Sequence, residues 1–503
     1  MTETAVEPRS PSLWTKVSYG FGSVAYGVGG AALGTATVTY YLNQVIGLPV
    51  AMVGAAIAAS IVVDAFIDPI VGQWSDNLRT PWGRRHPFMY ASAVPSALAF
   101  YFLWNPPAIL TGGALLVFMM FLLLVVRICV ALYEIPSTAL APELAPGYDD
   151  RTSLLSFRYF FGVMGAIVMG SLLNLVFIRK DAAHPLGALN REGYAHFGAT
   201  AAVVMVIAIL VSSISTHREI PRLRVPAQRH VTLAQTAREM WMTFSNPSLV
   251  ALITSGLISG LGGGMSSALS FYFNFHVWGL TPQATVWFVL GFVPATITGA
   301  IVAPLAAKRL GKKTAMISLF FVSLFTSLIP LTLRLVDLMP PNGSPFLLPI
   351  LVVDSFVAAF LGISGFIIVS SMIADVVEDN AVRTGVRSEG LLFAANGLLP
   401  KITGALGGFL GTLILRGVRF PDHAVPGTVD PSIIRTMLLF YLPIYALCNA
   451  AAIAVLWLYR IDKASHERNQ ALLREAEAGA AALDVNLEGG APKPPGTPGQ
   501  IAG

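Results

Sequence analysis

The sequence predicts an all-α membrane protein with twelve transmembrane helices, arranged as two six-helix halves that repeat one another. Three observations lead to this fold class. Of the 503 residues, 55% are hydrophobic and 12% are charged, whereas a soluble chain carries about 25% charged residues. The shortage of charge runs along the whole chain, so it does not mark a single anchor on a soluble domain. Long apolar segments recur twelve times, and short motifs recur six segments apart.

Twelve segments meet the requirement for a transmembrane helix, which is about 20 mainly apolar residues. The predicted spans, numbered 1 to 12, are 18–46, 51–76, 88–106, 110–142, 154–178, 196–215, 248–276, 283–306, 313–333, 346–376, 389–416 and 434–459. Several of them exceed 25 residues, so we expect these helices to tilt or to extend beyond the hydrocarbon layer.

The basic residues indicate how the spans are oriented, because cytoplasmic loops are enriched in Lys and Arg. Of the 32 Lys and Arg residues, 22 lie on the side of the two termini, six lie on the other side and four lie within spans. We therefore expect both termini in the cytoplasm and the protein in the plasma membrane, which in a bacterium is the inner membrane. Because the basic residues are spread over short loops and form no single basic face, nucleic acid is not an expected partner.

The connections divide the chain into five parts. The longest polar connection between spans, 216–247, separates six spans from six and contains a basic stretch interrupted by proline. The predicted parts are a cytoplasmic N-terminus 1–17, a first six-helix bundle 18–215, a cytoplasmic linker 216–247, a second six-helix bundle 248–460 and a cytoplasmic tail 461–503. The tail is rich in Ala, Gly, Pro and Glu, and this composition predicts a largely disordered segment.

Matching motifs indicate that the two halves are parallel repeats. The connection after span 2 contains TPWGRRHPF and the connection after span 8 contains RLGKKTAM, so each joins two spans through Gly and paired bases. Span 4 ends in APELAPGYDDRTSL and span 10 in IADVVEDNAVRTGVRSEGLL, so each places acids and then Arg-Thr in the following loop. Parallel repeats of six spans give this spacing.

The turn after span 2 has the composition of a tight connection between helices. Gly83 permits a positive φ there. Arg84 and Arg85 can pair with carboxylates on the same membrane side, such as Asp76 or Glu143. These four residues are therefore candidates for a cytoplasmic gate whose ion pairs break when the conformation changes. The alternative is that the two arginines only fix the topology.

The span 2 region carries a family resemblance. The pattern D-x-x-x-D-P-x-x-G-x-x-x-D is formed by Asp64, Asp68, Pro69, Gly72 and Asp76, and WGRRHPF follows at 82–88. This resembles the major facilitator superfamily, and more narrowly its glycoside–pentoside–hexuronide cation symporters, the melibiose permease group. The pattern is also similar to that of plant sucrose transporters and animal sodium-dependent lysophospholipid transporters. The resemblance implies the major facilitator fold, with two six-helix halves around a central cavity.

Charged residues within spans are costly and usually mark a transport pathway. Asp64 and Asp68 are four residues apart and therefore share one helix face. Their oxygens suit a monovalent metal cation, and cation or proton binding would relieve their mutual repulsion. The resemblance implies that this pair binds the coupling cation. The alternative is that each aspartate belongs to a structural ion pair. Asp354 is a further acid, in span 10.

Three more charged residues gain candidate roles from the resemblance. Glu134 stands where the melibiose group has an aspartate that serves both cation and sugar. Arg158 matches an arginine close to that carboxylate, so it is expected to pair with Glu134 and to contact substrate. Lys401 matches a lysine that faces the cavity and is expected to balance the carboxylates when no cation is bound. The alternative for Arg158 and Lys401 is that each forms a fixed salt bridge between helices. With Asp64 and Asp68 these make three acids and two bases, so one added cation would neutralise the group.

The chain also departs from the melibiose group at positions that matter for sugar recognition. Tyr26 and Gly27 occupy the region of the span 1 acid that holds galactosyl hydroxyls in that group, and Tyr26 becomes a candidate for stacking against substrate. Ile67 replaces a polar residue between the span 2 acids, and Thr138 replaces a tryptophan in span 4. The cation frame is thus kept while galactoside recognition is not.

The expected function is cation-coupled symport of a sugar or glycoside by alternating access, with sodium or a proton as the coupling cation. A lysophospholipid or another amphiphile is the rival substrate, and a non-transporting membrane sensor is a further alternative. No Ser/His/Asp, Cys/His or metal-ligand spacing predicts an enzyme. We expect no cofactor other than the cation, and membrane lipid as the surroundings of a monomer.

Overall fold

The structure is a computed structural model that describes residues 10–145, 148–180, 187–222, 246–384, 389–461 and 468. In that part of the chain all regular secondary structure is helical, and helices α1 to α12 follow the twelve predicted spans. Most of the predicted linker and nearly all of the predicted tail lie outside the described residues. The division into five parts therefore stays a prediction.

The helix bounds are close to the predicted spans, although many helices extend beyond them. Helix α1 is formed by Leu13–Phe21, Ser23–Ala32 and Thr35–Tyr40 and ends in a π-helical turn, Tyr41–Val45. The next five helices are α2 Val50–Asn77, α3 His86–Trp104, α4 Gly112–Leu144, α5 Tyr148–Leu172 with a π-helical turn Leu173–Phe177, and α6 Arg191–His217. A short 3-10 turn, Ile220–Arg222, follows α6. The last six are α7 Pro247–Tyr272 with a π-helical turn Phe273–Val277, α8 Pro282–Leu310, α9 Lys312–Leu335, α10 Leu347–Thr384, α11 Glu389–Gly417 and α12 Pro431–Leu456.

Among the described residues, nine of these helices are long and apolar enough to cross a membrane, judged by length and composition. The other three predicted spans are α1, α3 and α11. Helix α1 was expected to be continuous from 18 to 46, but it is interrupted at Gly22 and again at 33–34. Glycine weakens a helix because its backbone loses more freedom than that of other residues.

Local sequence explains where several helices begin. Helices α7, α8 and α12 each start with proline directly after a capping residue, Asn246, Thr281 or Asp430, whose side chain accepts a backbone N–H of the first turn. Proline suits this first position because its missing N–H would have no partner within the helix. Local sequence therefore explains where these three helices begin, at both ends of the bundle.

Helix contacts repeat between the two halves at an offset of six. In the first half α1 packs on α5 and α6, α3 packs on α4 and α6, and α2 packs on α4. In the second half α7 packs on α11 and α12, α9 packs on α10 and α12, and α8 packs on α10. The same five pairs occur in both halves, so the two bundles are structural repeats of one another, as the sequence motifs predict.

The halves meet through three helix pairs, α2 with α11, α1 with α7 and α5 with α8. Polar contacts on the side opposite the termini hold them together. Asn43 donates to Asp422 at 2.6 Å, and Tyr272 donates to Asn43 at 2.7 Å. The backbone N–H of Ala424 donates to the Gln44 side chain at 2.8 Å. The structure is therefore closed on this side.

The three π-helical turns all contribute to this closure. The turn of α1 carries Asn43 and Gln44. The turn of α5 carries Asn174, which accepts from Thr285 of α8 at 3.2 Å. The turn of α7 carries His276, which lies 3.4 Å from the Tyr40 hydroxyl of α1. A π-helical turn widens the helix locally and is often found at functional positions.

Candidate functional site

Asp64 and Asp68 face Lys401 across the boundary between the halves. Lys401, from α11, donates to Asp68 Oδ2 at 2.7 Å and to Asp64 Oδ2 at 3.2 Å. The two aspartates share one face of α2, as their spacing predicts. Side-chain exposure is 42% for Lys401 against 13% for Asp64 and 25% for Asp68, so the lysine is the most exposed of the three paired residues.

Arg127 is a second basic partner of this acidic pair. Its guanidinium, on α4, lies 3.9 Å from Asp64 Oδ2 and donates to Ser60 Oγ at 2.9 Å. The sequence analysis counted three acids and two bases in the pocket. The structure adds Arg127, so the charged groups balance without an added cation. Any cation that bound Asp64 and Asp68 would therefore compete with a resident base.

Glu134 and Arg158 form a separate ion pair at 2.5 Å within the first half. Arg158 also donates to the hydroxyl groups of Ser137 at 2.7 Å and Thr138 at 2.8 Å. The arginine side chain is only 7% exposed. The second carboxylate oxygen of Glu134 is buried and has no hydrogen-bond partner in the described part of the chain. One oxygen of Glu134 is thus fixed by Arg158, and the other is buried and unpartnered in this conformation.

Tyr26 connects the two groups of charges. It lies on the middle segment of α1, is 53% exposed, and is within electrostatic range of Glu134, Lys401 and both aspartates. The six residues proposed from the sequence for cation and substrate binding therefore form two charged groups, one that bridges the halves and one within the first half, with Tyr26 in electrostatic range of both.

The four residues of the candidate cytoplasmic gate form the ion pairs proposed from the sequence, while their role as a gate stays a prediction. Arg84 pairs with Glu143 at 2.8 Å, and Arg85 pairs with Asp76 at 2.5 Å and with Glu143 at 3.2 Å. All four residues belong to the first half, so these ion pairs brace α2, α3 and α4 and do not bridge the halves in this conformation. Gly83 has the predicted positive φ, 74°, which brings the two arginines back towards α4.

The second half repeats this arrangement with different residues. Lys312, at the start of α9, donates to both oxygens of Asp375 on α10 at 2.7 and 2.8 Å. The pair occupies the place six helices after Arg84 and Glu143. Each half therefore carries a basic turn that is anchored to an acid near the end of its fourth helix.

Several site residues were missed by the sequence analysis. Ser60, Ser137 and Thr138 hold the two arginines, and Tyr19 lies beneath Arg158, whose guanidinium is 5.6 Å from the ring centre. Short hydroxyl side chains carry little signal in an apolar span, but Arg127 is seven residues before Glu134 and a charge within a span is itself a signal.

The donor set suits a monovalent cation better than a transition metal. Within the described ranges, no group of three or more His, Cys, Asp or Glu side chains could hold a metal ion. Two carboxylates with a replaceable ammonium group instead form a site where one positive charge can be exchanged for another. Arg158, the Glu134 carboxylate and the exposed Tyr26 ring are groups of the kind that bind a polar organic ligand.

Comparison with known proteins places the chain among transporters. A family model described as MFS/sugar transport protein matches residues 18–463. An uncharacterised symporter of Synechocystis is 25% identical, with 90% of this chain and 95% of that protein covered. The isoprimeverose transporter of Lactiplantibacillus pentosus is 26% identical, with 84% of each chain covered. A sodium-dependent lysophosphatidylcholine symporter of Danio rerio is 28% identical over a shorter region, 32% of this chain and 30% of that protein.

Solved structures show the same fold. The crystal structure of a D-xylose–proton symporter superposes with a TM-score of 0.60 at 15% identity, and covers 89% of this chain and 98% of its own. A bacterial homologue of the lysosomal transporter Spinster, in an inward-facing and unoccupied conformation, superposes with a TM-score of 0.60 at 12% identity, covering 89% and 96%. These likenesses establish the twelve-helix architecture.

Proposed function

Because the chain belongs to the MFS/sugar transport protein family, whose model spans residues 18–463, we propose that it is a cation-coupled symporter of a sugar or glycoside. The family is one of membrane transporters, so the chain is an integral membrane transporter and not an enzyme. The observation that carries the proposal is the placement of Lys401 between Asp64 and Asp68. At this position a base of the second half pairs with two acids of the first half.

In the proposed mechanism, the coupling cation and Lys401 compete for the same two carboxylates. When the cation binds Asp64 and Asp68, the ammonium group is released and the contact between α2 and α11 loses an ion pair. When the cation leaves, Lys401 returns and neutralises the acids, which lets the empty carrier reorient. A membrane potential of 150 mV would supply about 3.5 kcal/mol for each positive charge carried inward.

The substrate is proposed to bind beside this pair. The second oxygen of Glu134, buried in this conformation, is proposed to accept a hydrogen bond from a substrate hydroxyl when the conformation exposes it. Arg158 fixes the other oxygen, and Tyr26 offers a ring face for stacking. Glu134 also lies within electrostatic range of Asp68, so a cation at one group lowers the cost of ligand binding at the other. The isoprimeverose relative supports a sugar or glycoside as the substrate class.

The protein is proposed to lie in the plasma membrane, which in bacteria is the inner membrane. Both termini are proposed to lie in the cytoplasm. The closed side is then the outer side, and the described conformation is closed to the outside. Residues Asp76, Arg84, Arg85 and Glu143 are proposed to stiffen the cytoplasmic end of the first half. The transporter is expected to function as a monomer in the lipid bilayer.

The test is uptake into liposomes that contain the purified protein. A panel of labelled disaccharides, alkyl glycosides and lysophosphatidylcholine is offered with an inward sodium gradient, an inward proton gradient or neither. We expect a sugar or glycoside to accumulate against its gradient with one of the two cations. We expect Asp64→Asn and Asp68→Asn to abolish this accumulation, because each removes a ligand charge.

Asp337→Asn is the matched control, because it makes the same chemical change in a loop, at a residue with a positive φ of 58° that asparagine also tolerates. Accumulation that survives in both α2 variants would refute cation coupling at this site. Accumulation of lysophosphatidylcholine alone would move the protein to the amphiphile class, which the Danio rerio relative makes the second candidate. Ligand binding without any flux would instead indicate a sensor.

A further inference from the structure

The described part of the chain contains a cavity whose lining residues do not include those of the proposed symport site. It has a volume of about 720 Å³, within the range of small-molecule pockets. Its walls come from α1 and α5 of the first half and from α7, α8, α9, α10 and α12 of the second. None of Asp64, Asp68, Glu134, Arg158 or Lys401 lines it.

Asp354 is the only charged residue among the described residues that line this cavity. It lies on α10, seven residues after the helix begins at Leu347, and is partly buried. It makes no hydrogen bond or ion pair with any other residue that the structure describes. Arg334, the arginine stacked over Trp278, is bonded to Asn342 and to the Val277 carbonyl oxygen and is not a lining residue.

The rest of the wall is mainly apolar and rich in aromatic rings. The aromatic lining residues are Phe271, Phe273, Trp278, Phe288, Phe292 and Tyr441. A carboxylate in such surroundings is costly unless a positive charge pairs with it. Aromatic faces attract cations through their quadrupole, most strongly where water is excluded. A charge without a partner, ring faces and room for a ligand therefore occur together.

We propose that this cavity binds a monovalent organic cation with an apolar body, whose charged centre lies against Asp354 and whose body packs on the aromatic wall. A neutral ligand would leave the carboxylate without a counter-charge, and an inorganic cation would leave the apolar volume unfilled. The cavity shares no lining residue with the proposed symport site, and the proposal does not depend on sugar transport. It would bind quaternary ammonium compounds and protonated aromatic amines.

The experiment uses the purified full-length protein in nanodiscs and two probes of nearly equal shape. Benzyltrimethylammonium carries a positive charge, and neopentylbenzene replaces its nitrogen by carbon. We expect benzyltrimethylammonium to bind with measurable heat and to raise the melting temperature. We expect its affinity to fall at least tenfold in Asp354→Asn and to stay within threefold in Asp354→Glu. Neopentylbenzene should bind weakly and equally to all three proteins.

Asp64→Asn controls for the other acidic site and should bind benzyltrimethylammonium as the parent protein does. The proposal would be overturned if Asp64→Asn lost binding while Asp354→Asn still bound the probe, because the probe would then occupy the symport site. Equal binding of the charged and the neutral probe would also overturn it. Since binding is measured without flux, the result is independent of whether any sugar is transported.

Discussion

Lys401 is placed where a single side chain can link chemistry to conformation. It belongs to the second half, yet its ammonium group bonds two carboxylates of the first half at 2.7 and 3.2 Å. Removing one partner of an ion pair leaves an uncompensated charge, which is costly at Asp64 because that side chain is only 13% exposed. In the proposed mechanism the coupling cation prevents that cost, because it takes the place that Lys401 leaves.

Lys401→Gln is therefore expected to increase the affinity for the coupling cation roughly tenfold, because the resident competitor is removed. Net uptake should fall, since the empty carrier then holds unpaired aspartates and reorients slowly, while exchange of labelled for unlabelled substrate should persist. Cation titrations of thermal stability, with sodium at fixed pH and then with pH alone, measure the affinity.

Lys308→Gln is the control: it changes an exposed lysine of α8 and should alter neither the cation affinity nor net uptake. An unchanged cation affinity in Lys401→Gln would refute competition.

Individual site residues were predictable to very different degrees. The four-residue spacing of Asp64 and Asp68 was enough to place both on one face of α2, and the structure confirms it. Lys401 lies 333 residues from Asp68, so its role was expected only from the family resemblance. Arg127 was visible as a charge within a span, but its partner Asp64 depends on how α4 packs on α2. Local sequence does not specify that packing.

At the scale of the helix, α1 depends on close packing by glycine. An added Cβ at Gly27 would lie 2.0 Å from the carbonyl oxygen of Gly162 on α5. That contact is with backbone, which cannot turn aside as a flexible side chain can. In contrast, a Cβ at Gly29 would have nothing within 4 Å. Small residues at helix interfaces allow such approach in membranes.

Gly27→Ala should destabilise the protein by about 1–3 kcal/mol, as overpacking of a tight interface does. Gly29→Ala, two residues further along the same helix, should be neutral or stabilising by up to about 1 kcal/mol, because alanine favours the helix. Thermal unfolding in detergent, followed by the loss of helical circular dichroism, ranks the two variants against the parent. Equal stability of Gly27→Ala and Gly29→Ala would contradict the packing described here.

The sequence predicted the number, order and approximate bounds of the helices, because hydropathy and the lengths set by the membrane are local properties. It did not predict that α1 would be divided, nor that α1, α5 and α7 would end in π-helical turns. Those endings place Asn43, Asn174 and His276 against the opposite half. Their partners, such as Asp422 and Thr285, are distant in sequence, so the endings depend on how the halves meet.

At the scale of the whole molecule, the halves are joined unequally. The seam of α2 and α11 is long and contains Lys401. The contact of α5 and α8 is shorter, with the bond of Asn174 to Thr285 at the closed side and the cavity of Asp354 beside it. The conformation is therefore held closed by a small number of polar bonds at one end of the molecule.

Asp422→Ala should weaken the closed side, because it removes the acceptor of the 2.6 Å bond from Asn43. Ser355 lines the cavity of Asp354. A cysteine at this position reports the opening of the closed side when Cys129 and Cys448 are both replaced by alanine. In sealed vesicles, an impermeant maleimide added outside should label this cysteine about five- to tenfold faster in Asp422→Ala. Asp430→Asn, which keeps the capping acceptor of α12, should label at the parent rate. Equal rates in Asp422→Ala and the parent would show that the bond does not hold the halves together.

The Lys401 ammonium group is a ligand that the protein carries with it, attached to its own binding site. A tethered ligand acts at an effective concentration, commonly in the millimolar range or above, that dilution of the surrounding solution does not change. A free cation has to exceed that concentration, weighted by the two affinities, before it occupies Asp64 and Asp68. The proposed carrier consequently has a half-saturation concentration for the cation that its own geometry raises: well below it the acids stay mainly with Lys401, and uptake increases as the external cation becomes abundant.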